Sequence, residues 1–272
     1  MKTLVLANHK GGVGKSAVAT LLAQSFAHRG HRVLAIDLDH QGNFSKPLRL
    51  GKRLAVAPLT SDMLMTTVVS SLPDGANVLV PNGDALIGLE RQPALHSPFA
   101  RNFRKFLVAM DARFDVCVVD TNPNPDIRMI AALASADFVL SPIQLTQEAM
   151  DGITALLNHE RVGLRKIKAR LNPKMHFIGL LPTMVEATPF QRGNLVQVVQ
   201  QYRSLLIALS DRLGDIASFP KRSAIAEAQA AGALLWEVKK TAARDAWREI
   251  EPSVCRIVDI VTGKENDHAV AA

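Results

Sequence analysis

The chain has 272 residues, of which 48% are hydrophobic and 21% are charged, so one large α/β domain with a substantial core fits its length. No apolar run reaches about 18 residues, so no membrane-spanning helix is predicted. The two cysteines, Cys117 and Cys255, are far apart, which excludes a disulfide framework and favours a cytoplasmic protein. The formal charge of +7 favours polyanions such as nucleic acid, although a generally basic soluble protein has the same balance.

The first predicted strand, residues 3–7, leads into a glycine-rich loop. The loop reads Lys10-Gly11-Gly12-Val13-Gly14-Lys15-Ser16, and apolar residues then recur at helical spacing over residues 18–26. A strand, a glycine-rich loop and a helix in this order bring backbone N–H groups and the positive end of the helix to a phosphate. Lys15 would reach the β- and γ-phosphates, and the Ser16 hydroxyl would bind Mg²⁺. The segment therefore predicts a phosphate-binding loop.

Two further predicted strands, residues 32–37 and 114–120, end in carboxylates. The first ends at Asp37, which is followed by Asp39, and the second ends at Asp120. Carboxylates at the carboxyl ends of parallel strands, beside a phosphate loop, suit the handling of a metal ion and of water. Asp120 has the position of a Walker B residue, which holds Mg²⁺. For Asp37 and Asp39 an acidic turn that caps the next segment remains an alternative.

The rest of the chain alternates between strand and helix patterns. Helices are predicted near residues 61–69, 99–110, 130–134, 147–159 and 190–209, and strands at residues 78–81, 138–144, 176–183 and 216–222. This alternation predicts an α/β fold with a mostly parallel twisted sheet and helices on both faces. The nucleotide is expected at the carboxyl ends of the strands. Residues 44–111 carry no predicted chemistry.

The loop resembles the deviant Walker A loop of the ParA/MinD family of P-loop ATPases. A second motif of that family matches at residues 37–43, where His40 replaces a proline. The resemblance covers roughly residues 1–45, 112–152 and 175–250, and it looks closest to plasmid ParA/IncC-type partition proteins.

This resemblance implies a single nucleotide-binding domain of the P-loop NTPase-like fold over residues 1–262. A short polar tail would follow over residues 263–272. Because the loop begins at residue 10, no N-terminal helix-turn-helix domain is expected. The tail has no apolar and basic stripe, which argues against a membrane-targeting helix.

The resemblance also implies the cofactors ATP and Mg²⁺ and a role for each site residue. Lys10 would cross a dimer interface to the partner's phosphates, Lys15 would bind the phosphates of its own subunit, and Asp39 would position the attacking water. The metal set would be Ser16, Asp37 and Asp120. The nucleotide-binding set would be Lys10, Gly11, Gly12, Val13, Gly14, Lys15, Ser16, Ala17, Pro220 and Arg222, the last two at the adenine base.

A basic cluster near the carboxyl terminus is the predicted DNA surface. It consists of Lys221, Arg222, Lys239, Lys240, Arg244 and Arg248. Family members bind DNA non-specifically through basic residues in this region, by phosphate contacts that carry little sequence information. A solvated helix face has the same composition, so both interpretations remain at this point.

The resemblance therefore implies a Mg²⁺-dependent, slow ATPase of plasmid or chromosome partition, cytoplasmic and associated with the nucleoid. ATP would drive a sandwich homodimer that binds DNA non-specifically. Hydrolysis stimulated by a ParB-type centromere-binding partner would release it. Two alternatives are an ATP-switched positioning scaffold that hardly hydrolyses ATP, favoured by departures at His40, Asn122 and Asn124, and a MinD-like membrane-cycling ATPase.

Overall fold

One parallel seven-stranded sheet organises the part of the chain that the computed structural model describes, residues 1–212 and 214–264. Its strands are β1 (Lys2–Leu6), β2 (Val33–Asp37), β3 (Ala55–Val56), β4 (Val78–Val80), β5 (Val116–Asp120), β6 (Phe138–Gln144) and β7 (His176–Thr183). They are ordered β3-β4-β2-β5-β1-β6-β7, and every pair is parallel. The predicted sheet is thereby confirmed.

Helices connect these strands. In the described residues the α-helices are α1 (Lys15–His28), α2 (Ser45–Gly51), α3 (Met63–Thr66), α4 (His96–Met110), α5 (Ile127–Ala134), α6 (Ala149–Asn158), α7 (Leu164–Arg170), α8 (Pro189–Tyr202), α9 (Ser223–Ala230) and α10 (Thr241–Thr262). Short 3₁₀ helices lie at Asp84–Arg91, Pro93–Leu95, Arg203–Leu205 and Leu235–Glu237.

Apolar layers cover both faces of the sheet. Leu4 and Leu6 of β1 point into a layer that α1, α9 and α10 complete, whereas Val5 points into a layer built mainly by α4, α5, α6 and α7. A strand alternates its side chains between faces, so a strand that is buried on both sides must be apolar throughout. This is why the strand cores of β1, β2 and β5 read as unbroken apolar runs.

The order of the strands brings the sequence motifs to one edge. β5 lies between β1 and β2, with Leu6 and Asp37 both in register with Asp120. The segments that follow β1, β2 and β5 therefore leave the sheet side by side. This edge is where α/β sheets bind ligands, because the chain diverges to opposite faces there.

Two predicted elements differ from the structure between residues 190 and 222. The helix predicted to residue 209 ends at Tyr202, and Leu206 then lies beside Leu180 of β7. Gly179 permits this approach, because a Cβ at that position would lie 2.7 Å from the carbonyl oxygen of Leu205. The predicted strand at residues 216–222 is an extended segment with isolated bridges at Ile216 and Pro220.

The smaller differences lie at the ends of elements. The helix predicted over residues 61–69 is only the single turn α3, and Thr67 is extended after it. At the carboxyl end, α10 stops at Thr262, with Gly263 in the left-handed conformation that commonly ends helices. Residues 265–272 of the predicted polar tail lie outside the described residues. No helix within the described ranges is long and apolar enough to cross a membrane.

Candidate nucleotide-binding site

The glycine-rich loop connects β1 to α1. Gly12 and Gly14 have φ angles of 76° and 82°, in the left-handed region that glycine adopts without strain. Gly14 precedes the first residue of α1, so the loop ends at the positive end of a helix. Free N–H groups at such an end attract anions. The loop therefore has the local geometry that its sequence predicted.

Side chains at the ends of neighbouring strands hold this loop. Thr183 donates a hydrogen bond from its Oγ1 to the carbonyl oxygen of Val13 at 2.8 Å, and Gln144 donates from its Nε2 to that of Gly12 at 3.0 Å. Sequence reasoning did not select Thr183 or Gln144. A polar residue at the carboxyl end of each predicted strand was the available signal.

Lys15 is buried among the carboxylates of the site. Lys15 is only 7% exposed, and its Nζ donates a hydrogen bond to the carbonyl oxygen of Lys10 at 3.2 Å. Burial lowers the pKa of Lys15, while Asp120 and Asp39 act in the opposite direction. A buried cation whose one hydrogen bond is to its own loop can form further bonds with an anion.

Ser16 lines the phosphate cavity, and its side chain contacts the buried Asp120. The Ser16 hydroxyl donates to Asp120 Oδ2 at 2.6 Å, and Asp120 Oδ1 is buried without a hydrogen-bond partner. Burial first, and then repulsion from Asp37, raise the pKa of Asp120 well above its usual value. A cation at this point would satisfy the free oxygen and favour the charged carboxylate. The pair thus fits Mg²⁺, which commonly takes one or two carboxylates together with phosphate oxygens and water.

The carboxylate of Asp37 is occupied by its own chain. Its Oδ1 accepts from the Asp39 amide at 3.0 Å, and its Oδ2 accepts from the Ser45 amide and hydroxyl at 2.8 and 2.7 Å. Burial raises the pKa of Asp37 to about 6 despite these bonds. The described residues hold no cluster of three His, Cys, Asp or Glu side chains that could bind a metal by themselves. Asp37 is accordingly better suited to hold the residues around a metal ion in place than to bind the ion directly.

Asp39 faces the same cavity from the end of β2. It is 8% exposed, and its Oδ1 accepts from the Gln41 amide at 3.1 Å. The ring of His40, which stands where the family has proline, places its Nδ1 3.4 Å from Asp39 Oδ1. His40 thus contacts the carboxylate that is expected to position water.

Two adjoining cavities form the site. The larger, of about 600 Å³, is lined by Gly11, Gly12, Gly14, Lys15, Ser16, Ala17, Asp39, His40, Gln41, Asn43, Pro123, Asn124, Met184 and Gln229. The other is a mostly apolar groove of about 440 Å³ whose wall includes Pro220, Arg222, Phe219 and Ile225. Gly14, Ala17, Met184 and Gln229 line both. A polar cavity joined to an apolar groove suits a phosphate chain joined to a flat base.

Met184, at the junction of the cavities, was not predicted. Its φ of 51° is uncommon for a residue other than glycine, and such strain concentrates at functional sites. Arg222 does line the groove, but its guanidinium is bound to Glu249 by two hydrogen bonds of 2.8 and 3.0 Å. Pro220 is therefore the freer of the two predicted base contacts.

Lys10 lies outside the larger cavity. Its Nζ contacts Thr146 Oγ1 at 3.2 Å and Glu148 Oε2 at 3.3 Å, just before α6. The lysine side chain is 42% exposed. The two lysines of the loop are thus directed differently, Lys15 into the site and Lys10 to the surface beside it.

Most of the predicted DNA cluster is already neutralised. Ion pairs join Lys221 to Glu186, Arg222 to Glu249, Lys240 to Glu227 and Arg248 to Asp245, with separations of 2.8–3.4 Å. Lys239 has no such partner among the described residues. These pairs are at the surface, where they are weak, so a DNA phosphate would compete with carboxylates for the cations of this cluster. The cluster stays a prediction.

A second basic cluster, on and after α7, was missed. It consists of Arg165, Lys166, Lys168, Arg170 and Lys174, none of which forms an ion pair within the described residues, and all but the partly buried Lys166 are exposed. It lies on the other face of the sheet from α10, because α7 packs in the layer with α5 and α6. The run Arg165-Lys166-Ile167-Lys168-Ala169-Arg170 was the sequence signal.

The fold and this site define a P-loop nucleotide-binding protein. Comparison with known proteins agrees: a family model described as an AAA domain (AAA_31) matches residues 1–177. Protein IncC of Escherichia coli is 33% identical over 263 residues, which cover 92% of this chain and 67% of IncC. The chromosome partitioning protein ParA of Caulobacter vibrioides is 29% identical over 250 residues, 88% of each chain.

A solved structure shares the fold as well. Cobyrinic acid a,c-diamide synthase from Mycobacterium smegmatis, solved with bound ADP and magnesium, superposes with a TM-score of 0.68 and 23% identity over 86% of this chain and 91% of that one. At this identity the likeness concerns the fold alone. With the sequence matches, however, the family is clear: the chain belongs to the ParA/MinD-type ATPases, as a partition-type member.

Proposed function

We propose that this protein is an ATP- and Mg²⁺-dependent ATPase of plasmid or chromosome partition that binds DNA as an ATP-bound homodimer. The supporting observation is that Lys15, Ser16 and Asp39 line one cavity beside an apolar groove, with the buried Asp120 hydrogen-bonded to Ser16. A ParB-type partner would stimulate hydrolysis and release the protein from DNA. Its location would be cytoplasmic, on the nucleoid.

Each side chain has a task in phosphoryl transfer to water. Such catalysis is mainly positioning and stabilisation of charge. The loop amides and Lys15 would bind the β- and γ-phosphates, and Ser16 and Asp120 would hold the metal ion. Bound Mg²⁺ supplies charge neutralisation on the phosphates. Asp39 accepts a hydrogen bond from the attacking water and orients it, and Asp37 keeps Asp39 in place through the amide contact.

The position of Lys10 supports the proposed dimer. A lysine that served its own subunit would be expected in the cavity beside Lys15, but Lys10 contacts Thr146 and Glu148 outside it. A half-exposed cation at the rim can reach a phosphate bound by a second copy across a shared face. The site is then complete only in the dimer, which makes assembly depend on nucleotide.

One observation favours the weakly hydrolysing scaffold as a second candidate. His40 places a ring nitrogen 3.4 Å from the carboxylate that would orient water, where the family has proline. A ring this close to Asp39 would crowd the position of the water and slow hydrolysis without disturbing ATP binding. That candidate predicts ATP-dependent dimers whose turnover stays negligible even with DNA and partner present.

For the membrane-cycling alternative, residues 265–272 lie outside the described residues, and recruitment to liposomes by ATP would be its test.

DNA binding tests the proposal most directly. Binding to duplex DNA of unrelated sequence would be measured with ATP, with ADP and without nucleotide, over a series of salt concentrations. We expect binding only with ATP, a steep loss with salt because counterions are released, and loss of binding in both Lys10→Ala and Lys15→Ala. Binding that ignores the nucleotide would overturn the coupling of the ATP site to DNA.

A further inference from the structure

The segment after Asp120 forms one wall of the phosphate cavity. Pro123 and Asn124 line that cavity, and residues 121–126 lead directly into α5. Asp126 caps α5 by accepting a hydrogen bond from the Arg128 amide at 3.0 Å. Bonds within the segment, from Asn122 to Asp126 and from the Asp126 amide to Asn124, fix its local shape. Contacts at Pro125 and Ile127, on either side of Asp126, then help to determine where this wall stands.

Two side chains from distant parts of the sequence hold these backbone groups. Glu90, from the 3₁₀ helix Asp84–Arg91, accepts a hydrogen bond at its Oε2 from the Ile127 amide at 2.9 Å. Arg161, from the turn between α6 and α7, donates from its Nη1 to the carbonyl oxygen of Pro125 at 3.4 Å. Neither residue belongs to a motif that the sequence analysis selected.

Glu90 and Arg161 also bind each other. The guanidinium contacts both carboxylate oxygens, at 3.2 Å for Nη2 and Oε2 and through a closer contact between Nη1 and Oε1. Burial would raise the pKa of Glu90, but the bonds from Arg161 and Ile127 hold it below its usual value. A two-pronged arginine–carboxylate pair fixes direction as well as distance. The pair thus links the amide of Ile127 to the carbonyl oxygen of Pro125.

The same turn contacts the residue just before the phosphate loop. The amide of Arg161 donates to His159 Nδ1 at 3.1 Å, which orients that ring, and the ring packs edge-on against His9 with centroids 5.1 Å apart. His9 immediately precedes Lys10. The turn at residues 159–162 therefore contacts both the residue that precedes the phosphate loop and the wall segment.

We propose that Glu90 and Arg161 are positioning residues for ATP hydrolysis, which hold the segment after Asp120 at the distance from the phosphate loop that hydrolysis requires. The proposal rests on the ATPase part of the proposed function and is independent of DNA. Alignment within the site matters because a displacement of about 1 Å can cost roughly 100-fold in rate. Phosphate binding itself rests on the loop and Lys15, which the pair does not touch.

Three variants test the pair in the ligand-free and the ATP-loaded protein. Glu90→Ala removes the acceptor of the Ile127 amide, Glu90→Gln retains an acceptor oxygen without the charge, and Arg161→Ala removes the contact to Pro125. We expect Glu90→Ala and Arg161→Ala to lower kcat by about tenfold or more, with KM for ATP and Kd for ADP changed less than about twofold. Glu90→Gln should recover part of kcat.

Amide hydrogen exchange supplies a readout that does not depend on activity. In the ligand-free protein, the Ile127 amide should exchange about tenfold faster in Glu90→Ala than in the wild type, and Glu90→Gln should lie between them. A faster Ile127 amide together with an unchanged kcat would overturn the proposal, as would parallel loss of kcat and nucleotide affinity. Failure of the wild type to bind ATP would instead overturn the proposed function.

Arg32 and Asp115 provide a matched control pair. Their side chains are 47% and 38% exposed, close to the 39% and 36% of Arg161 and Glu90. Asp115 also accepts a backbone amide, that of Arg32, but it precedes β5 at the edge of the sheet remote from Asp120. Asp115→Ala should leave kcat within about twofold of the wild type. An equal loss of kcat in Asp115→Ala would attribute the effect to general destabilisation and overturn the positioning role.

Discussion

At the scale of single residues, the largest loss of ATP affinity is expected on substitution of Lys15. Lys15→Ala removes a buried cation that lines the phosphate cavity. Charged hydrogen bonds are worth roughly 1.5–3 kcal/mol each, so we expect affinity for ATP to fall by at least about 100-fold. Equilibrium binding of a fluorescent ATP analogue measures this. Lys10→Ala is the matched control. Its monomer should still bind ATP, because Lys10 lies outside the cavity. Tight binding by Lys15→Ala would refute the phosphate-loop assignment.

Substitution of Asp39 should affect ATP hydrolysis but not ATP binding. Asp39→Ala leaves Lys15 and Ser16 in place, so nucleotide binding should persist while hydrolysis falls by about 100-fold or more. The ATP-bound dimer should then accumulate, which size-exclusion chromatography with light scattering detects. Undiminished phosphate release would remove Asp39 from the mechanism.

His9 predicts a pH dependence of stability. Burial, followed by His159 and Lys15, lowers the pKa of His9 to about 4 in the folded protein, against about 6.5 in an unfolded chain. Between those values the unfolded state binds a proton that the folded state does not, so His9 makes the free energy of unfolding fall as the pH falls from 6.5 to 4. His9→Phe keeps a ring against His159 without the titration.

Urea unfolding of both proteins at several pH values measures this effect. The wild type should lose more stability than His9→Phe as the pH falls through that interval. Above pH 7 the difference between the two proteins should be constant, since His9 is neutral in both states there. Parallel curves over the whole range would contradict the burial argument for His9.

At the scale of elements, α10 shows how burial divides a helix. Ile250 is fully buried against the sheet layer with α1, whereas Glu251, the next residue, is exposed. Ile250→Ala should lower the free energy of unfolding by about 3 kcal/mol, since it removes apolar contacts and leaves a cavity. Glu251→Ala, as control in the same helix, should change it by less than about 0.5 kcal/mol. Similar losses would contradict the orientation of α10.

Prediction of elements from the sequence was most accurate where one physical requirement dominated. The strand over residues 176–183 was predicted with its observed bounds, because an unbroken apolar run in a parallel sheet has few other interpretations. The helix over residues 190–209 was predicted too long. Two apolar residues near its predicted end, Leu206 and Ile207, are buried by extended packing beside Gly179. This contact joins distant segments, so no local pattern records it.

At the scale of the whole molecule, the two basic clusters lie on opposite faces of the sheet and make different predictions. The triple variant Lys168→Gln, Arg170→Gln, Lys174→Gln should weaken DNA binding and reduce the slope of log affinity against log salt by about 0.9 for each lost phosphate contact. The matched triple variant Lys221→Gln, Lys240→Gln, Arg248→Gln removes the same formal charge, but its cations are already paired with carboxylates, so we expect a smaller loss. An equal or greater loss in the second variant would restore the cluster predicted from the sequence.

The sequence alone indicated the candidate site, because each of its parts is a pattern of neighbouring residues. The phosphate loop, the carboxylates that end β2 and β5, and the alternation of strands and helices are all local patterns. A parallel sheet then has only one edge at which these strand ends can meet.

Only the tertiary structure decided which charges stay free and what holds the site together. Lys221 and Lys240 are neutralised by Glu186 and Glu227, and the wall after Asp120 is held by Glu90 and Arg161. Glu90 came from a segment with no predicted chemistry. These contacts join residues that are far apart in sequence, and their energies depend on distance and burial, which a linear pattern of residue types does not contain.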